Sequence, residues 1–404
     1  MPRSATSSRW WIGPTVAFAL SRTWLLLIPF GVIPYLGGTL VINDVTLYTQ
    51  WAQLLTAGQF PVGDEMWQYP PLVGPMLAIG SLIPPDPTWG LVLLMLIADA
   101  ATFLVLMRRV SRGGAIEGAW AWIAAAMLIG PVWLTRFDVV PALFAVLALL
   151  AVNRPSRAAV FMAVGAMLKV WPALLLLSVP RRRLGRAVAV FLATSTGILL
   201  TLMLTMQGAA SFASEQRARG LQIESLPALP FLVGHHLGLE RDFIYRYGAM
   251  EVQAPGTTTV AAAITLIAAA GLAFLAWARL TGRLDHARPA DIALVVVLFS
   301  MVTSRVLSPQ YLIWVAAVAS VCLLDEHTRM RPVIVTLMPV AALGQILYPM
   351  HYDWLLSDGL SGLALQTLRL LLLVAATAWA GLRLFSQAAD PVRVEPVEQV
   401  RQTA

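Results

Sequence analysis

Apolar residues recur in runs approaching the length of a bilayer crossing, separated by short stretches where Arg, Pro and Gly collect. A helix needs about 20 apolar residues to span the hydrocarbon. Candidate runs lie near 11–36, 88–107, 117–134, 139–152, 187–206, 257–278, 290–303, 309–324, 332–349 and 360–382. Two more, 158–168 and 171–180, are too short to cross alone. They meet at Lys169-Val170-Trp171-Pro172, which predicts broken or re-entrant helices lining a cavity. The pattern predicts an all-α, polytopic integral membrane protein with about twelve spans.

One further apolar stretch, 71–83, is bounded by Pro70-Pro71 and Pro84-Pro85 and contains Pro75. It is placed as a helix lying along the membrane surface. With that choice and a cytoplasmic N-terminus, 19 basic residues collect on one face and seven on the other, as the positive-inside rule requires. Letting 71–83 cross would reverse the bias. The first apolar run resumes after Arg22, which favours a retained helix over a cleaved signal peptide. Both termini are then cytoplasmic in a plasma (inner) membrane. The loops on the outer face, 37–87 and 207–256, are long while the inner ones are short, so chemistry is expected outside. One integral membrane domain, 1–386, precedes a tail, 387–404, expected to be disordered.

Composition agrees with lipid as the solvent: 58% of residues are hydrophobic and 12% charged, against about 25% charged in soluble domains. The net charge of +7 is dispersed between apolar spans, whereas a nucleic-acid partner needs it gathered on one surface. Cys322, the sole cysteine, lies in an apolar run and excludes an internal disulfide, a CxxC metal site and a redox pair. Neither a Walker-type loop nor a Gly-rich dinucleotide turn occurs, and no compact set of oxygen ligands for Mg²⁺ or Ca²⁺ is evident. No cofactor or metal is expected.

The polar residues that interrupt this pattern are few. From Val45 to Ala57, Leu47, Tyr48, Trp51, Leu54 and Leu55 recur at helical spacing, with Thr46, Thr49, Gln50 and Gln53 opposite and Gly58 as terminator. This predicts an interfacial amphipathic helix. Asp44 stands just before it, either as an N-cap or as a general base at the mouth of a cavity. In RFDVVPAL at 136–143, Arg136 and Asp138 either pair across a turn or present a second acid to a ligand. Lys169 sits at membrane depth, where an ionisable group is costly. It either neutralises a phosphate or snorkels to the interface. SEQRARGLQIES at 214–225 carries Arg217, Arg219, Gln222 and Glu224, as a solvated loop with pairs such as Glu215–Arg219 or as part of a pocket. SRVLSPQYLIW at 304–314 offers Arg305, Ser308, Gln310 and Tyr311 at an outer turn, for phosphate or sugar or simply at the headgroups. His235, His236 and His351 read as interfacial polar groups. Arg22 and Asp99 lie too far apart in depth to be paired by eye, and Arg369 has no evident partner.

The order Asp44, Tyr48, Gly58, Tyr69-Pro70-Pro71 resembles the first outer loop of GT-C glycosyltransferases, and most closely glycosyltransferase family 87, the polyprenyl-phosphate-mannose-dependent mannosyltransferases. The stretches around Asp138, Lys169 and RGLQIES resemble the same family, and together the likeness spans most of 40–315. It implies a GT-C-type fold with juxtamembrane helices in the first outer loop and Asp44 as catalytic residue. It also implies Lys169, Arg219, Arg305 and Gln310 at the donor phosphate, and Tyr48, Tyr69, Asp138, Gln222 and Glu224 at the sugar or acceptor. The best-known mannosyltransferases of the family carry His after the Ser-Pro-like turn where this chain has Gln310-Tyr311. That departure bears on whether mannose goes to the same acceptor and whether a His assists.

The implied reaction is a single inverting displacement. Asp44 takes the proton of an acceptor hydroxyl, on a lipid or a glycan, as it attacks the anomeric carbon of a polyprenyl-phosphate sugar held among membrane lipids. Cations stabilise the departing phosphate. The rival class is a lipid-linked sugar flippase or transporter, which would also have broken helices and intramembrane charges. It would lack a reason for polar residues to cluster on one outer face, and no inverted repeat is visible. A purely structural membrane protein would not explain two long polar loops.

Overall fold

The computed structural model describes residues 9–212, 219–357 and 359–386. The expected tail, Arg217 and Glu215 lie outside the described residues. The chain is mostly helical, and among the described residues five helices are long and apolar enough to cross a membrane: Pro87–Val110, Arg181–Thr205, Thr257–Leu280, Arg331–Met350 and Leu360–Ser386. Arg181–Thr205 buries only Ala187 and Leu202, and Thr257–Leu280 is almost as bare. Such uncovered apolar helices require lipid around them.

The expectation of about twelve spans is not met by length. Helices α1 (Ile12–Leu27), α5 (Glu117–Ile129), α7 (Val139–Leu150), α8 (Pro155–Leu168), α12 (Pro289–Val302) and α13 (Tyr311–Leu323) are apolar but short. An apolar run records burial and leaves helix continuity open, and Pro and Gly cut these runs. Thus the first run ends as helix at Leu27, ahead of Pro29, Gly31 and Pro34. α5 stops at Gly130, whose φ is 75°. After α8 the chain turns extended at Lys169 and continues as a 3₁₀ helix, Trp171–Ser178, so the break predicted there is present.

Helices α12 and α13 are buried on nearly all sides and form the centre of the molecule. α2 (Asn43–Thr56) lies where the amphipathic helix was expected and buries Val45, Tyr48, Trp51, Ala52 and Leu55. α3 (Val73–Ser81) is the predicted short helix between the proline pairs and buries Val73 and Leu77 completely. α4 (Pro87–Val110) starts from a strong cap: Asp86 accepts from the backbone N–H groups of Thr88 and Trp89, with Pro87 at the first position.

The all-α expectation needs one correction. In the second long loop β1 (Leu221–Gln222), β2 (Asp242–Arg246) and β3 (Ala249–Gln253) form an antiparallel sheet in the order β1-β3-β2. Phe243, Ile244 and Tyr245 are strand formers. Tyr247 and Gly248 make the two-residue turn with φ of 53° and 71°, the positive values that match the twist of a hairpin. A non-glycine residue pays for this position in strain.

Two charges read as unpaired have partners. Arg22 donates Nε to Asp99 Oδ2 at 2.8 Å and Nη2 to Oδ1 at 3.0 Å. The indoles of Trp122 and Trp133 add hydrogen bonds of 2.8 and 2.9 Å to Oδ1. Helix rotation, which sequence alone does not fix, decides this pairing. Arg369, in α16 (Leu360–Ser386), meets Glu224 at 3.1 Å.

Candidate active site

The first turn of α2, the end of α8, the start of α13 and the β2–β3 hairpin converge on one cavity of about 450 Å³. From α2 come Asn43, Asp44, Thr46, Leu47 and Gln50, one face at helical spacing. Tyr69 and Pro70 approach because the backbone N–H of Leu72 donates to Met167 O at 3.0 Å, tying the Tyr-Pro-Pro segment to the end of α8. Lys169, Val170 and Trp171 follow where α8 breaks, and Ser308, Gln310, Tyr311 and Trp314 enter at the head of α13. Arg219, Tyr245, Tyr247, Gly248 and Ala249, with Met66 and Gln68, complete the lining.

Asp44 does not cap its helix: Ile42 holds the N-cap position and Asp44 lies within the first turn. Its Oδ2 meets Arg136 Nε at 2.6 Å and accepts a longer hydrogen bond from the Tyr48 hydroxyl at 3.4 Å. Among the described residues no hydrogen bond falls on Oδ1. Arg136 is buried and further held by Tyr348, whose hydroxyl accepts from Nη2 at 2.7 Å. The pairing across a turn that the sequence allowed, Arg136 with Asp138, is therefore replaced by a pairing with Asp44.

Asp138 occupies the N-cap position of α7 without capping it. Its carboxylate accepts from Lys169 Nζ at 2.8 and 2.9 Å and from the Trp314 indole at 2.6 Å. Lys169 also lies 5.1–6.0 Å from the ring centres of Tyr69, Phe137, Tyr311 and Trp314, within the range of cation–π attraction. Lys169 does not snorkel away; it lines the cavity with its charge already matched.

Arg219 differs. Its Nη2 donates to Tyr247 O at 2.7 Å, and no hydrogen-bond partner meets its buried Nε. Of the ionised groups on the lining, Asp44 and Lys169 are ion-paired and Arg219 is not, among the described residues. Among the described residues, the ionised groups on the lining therefore sum to a net positive charge. Burial first, and the carboxylates of Asp44 and Asp138 second, push the Tyr69 phenol well above its ordinary value, so it stays protonated as a neutral donor.

Seven of the sequence candidates thus line one cavity: Asp44, Tyr69, Lys169, Arg219, Ser308, Gln310 and Tyr311. Five do not. Tyr48 is buried beneath Asp44, and Asp138 beneath Lys169. Arg305 turns its Nη1 to Arg219 O at 2.9 Å. Gln222 and Glu224 are buried behind the wall and bonded to each other at 3.1 Å. Burial pushes the Glu224 carboxyl up against the opposing pull of Arg369. His235, His236 and His351 lie off the cavity, and among the described residues no three His, Cys, Asp or Glu side chains converge as metal ligands.

The model of glycosyltransferase family 87 matches residues 67–309. The chain belongs to glycosyltransferase family 87. No curated protein matches it. The match includes Tyr69, Asp138, Lys169, Arg219 and Arg305 and begins after Asp44 and Tyr48; the fold returns Asp44 to the cavity, with Tyr48 buried beneath it. This family 87 chain is a membrane glycosyltransferase. The sequence singles out Tyr311 but not the aromatic wall it forms with Trp171 and Trp314, where Tyr311 and Trp314 stack at 3.9 Å. Its only trace was aromatic residues beside the polar ones in LKVWP and SPQYLIW. Sequence reading also missed the hairpin, whose trace is Tyr-Gly between two short runs of strand formers.

Proposed function

We propose that this enzyme transfers a sugar, mannose by resemblance, from a polyprenyl-phosphate donor to an acceptor hydroxyl at the outer face of the plasma membrane. The observation that carries the reading is the shared cavity of Asp44, one of whose carboxylate oxygens accepts no hydrogen bond among the described residues, and Arg219, which has no ion-pair partner among them.

In this mechanism the acceptor oxygen attacks the anomeric carbon as the bond from that carbon to the phosphate oxygen breaks. The phosphate leaves with the bonding electrons as polyprenyl phosphate, and the acceptor proton passes to Asp44 Oδ1. One displacement inverts the anomeric centre. Arg136 fixes the carboxylate through Oδ2 and so aims the other oxygen. Arg219 meets the charge that grows on the departing phosphate, and the third hydrogen of Lys169, which Asp138 leaves over, adds a second donor. Tyr69 and Gln310 supply neutral hydrogen bonds to sugar hydroxyls. The broad apolar surface of the neighbouring helices keeps the prenyl chain in lipid.

Purified enzyme in lipid nanodiscs, given radiolabelled mannosyl-phosphoryl-polyprenol and a mannoside acceptor, is expected to form a new glycosidic bond without any sugar nucleotide. Transfer from GDP-mannose alone would contradict the donor assignment. Passage of the intact sugar lipid across a vesicle membrane, with no bond formed, would instead favour a flippase.

A further inference from the structure

One polar chain, fully buried at its start, runs behind the cavity and ends at two of its walls. It starts at Arg369 in the last membrane helix, which is 1% exposed. Arg369 Nη1 donates to Glu224 Oε1 at 3.1 Å, and Gln366 Nε2 donates to Glu224 O at 2.6 Å. The other carboxylate oxygen, Oε2, accepts from Gln222 Nε2 at 3.1 Å. Gln222 Oε1 then accepts from the backbone N–H of Leu307 at 2.8 Å, one residue before Ser308. The backbone N–H of Gln222 donates to Arg305 O at 3.0 Å, and Arg305 Nη1 donates to Arg219 O at 2.9 Å.

Stability gives little reason for this arrangement. A buried ion pair loses hydration on both sides, and an apolar pair of similar volume is often at least as stable. Arg369 Nε has no hydrogen-bond partner among the described residues, which is a cost. Orientation gives a better reason. A primary amide is two-faced, and Leu307 N–H needs its oxygen side. An ionised carboxylate only accepts, so Glu224 draws the NH₂ of Gln222 toward itself and leaves the oxygen for Leu307. Arg369 opposes the protonation that burial favours; a neutral carboxyl could donate instead and release the amide to turn over.

We propose that Glu224 and Arg369 are positioning residues that, through the Gln222 amide, fix the turn bearing Ser308 and Gln310 and the backbone of Arg219. The role as an active-site support rests on the functional reading above; the mechanical link does not. It also couples the last membrane helix, beyond the matched residues, to the cavity wall.

The test uses full-length protein in nanodiscs. Arg369→Met alone leaves Glu224 buried without its cation and so risks misfolding. The double variant Glu224→Gln with Arg369→Met avoids that charge, and Gln222→Leu removes the Leu307 acceptor while keeping the ion pair. Hydrogen exchange at the Leu307 amide is expected to rise by about tenfold or more in both, with exchange in α12 and the melting temperature close to wild type. The donor KM for mannosyl-phosphoryl-polyprenol is expected to rise by about tenfold, with kcat changing less. Arg369→Lys, which keeps a cation, is expected to restore much of both. Wild-type protection at Leu307 in the folded double variant would overturn the proposal, as would a lowered melting temperature with unchanged exchange and KM. The exchange readout needs no turnover, so failure of wild-type enzyme to transfer sugar would count against the enzymatic reading alone.

Discussion

Asp44→Asn is expected to slow sugar transfer by about two to four orders of magnitude, the usual contribution of a positioned general base. The substitution preserves shape, and the amide oxygen can still accept from Arg136 and Tyr48 at the positions Oδ2 now serves. The first turn of α2 is therefore expected to stay in place, and donor affinity with it. What is lost is the ability to take a proton at the second oxygen. Steady-state kinetics of the purified variant should show a fall in kcat at nearly constant donor KM. Wild-type turnover would exclude the base role for this residue.

Arg219→Gln is expected to lower kcat/KM by about 10²–10³, roughly 2.7–4 kcal/mol, the usual effect of removing one preorganised donor from a developing anion. Glutamine keeps a donor for Tyr247 O but removes the charge that the cavity leaves unbalanced. Donor KM is expected to rise alongside the fall in kcat, since the phosphate is charged in both ground and transition states. The same change at Lys169 would be less informative. It would leave the Asp138 carboxylate buried without a cation, so folding and function would fail together. A salt-sensitive donor KM in wild type that becomes flat in Arg219→Gln would support the assignment, whereas equal kinetics in both proteins would refute it.

The parts of this site legible in the sequence are those where polarity breaks an apolar pattern. The helix from Val45 was placed within two residues of its ends, because amphipathic spacing and Gly58 mark it. Lys169 stands out as a costly charge at membrane depth, Asp44 by its place before the amphipathic helix and Arg219 by its polar loop, and the structure gathers all three around one cavity. Partnership was not legible. Arg136 was read beside Asp138, two residues away, yet it crosses to Asp44. Arg22 and Asp99 were separated by apparent depth yet bond directly. These pairings depend on helix rotation, which a run that is apolar on all sides leaves undetermined. Gln222 and Glu224 looked like pocket residues because they are polar, but burial turned them toward Arg369 and Leu307. The hairpin was missed because each five-residue strand is short and its turn uses Tyr247, a residue rarely found with positive φ. The number of spans is not settled by apolar runs alone, because a run such as 117–134 reads as continuous hydrophobicity across Gly130, where the helix ends.

The most direct test is a structure of the Asp44→Asn enzyme in a nanodisc with mannosyl-phosphoryl-polyprenol bound. The account predicts the donor phosphate within about 4 Å of the Arg219 guanidinium, a salt-bridge distance, with the anomeric carbon facing residue 44 and the prenyl chain in lipid. A phosphate seated at the Arg181–Arg186 end of the molecule, with this cavity empty, would contradict it.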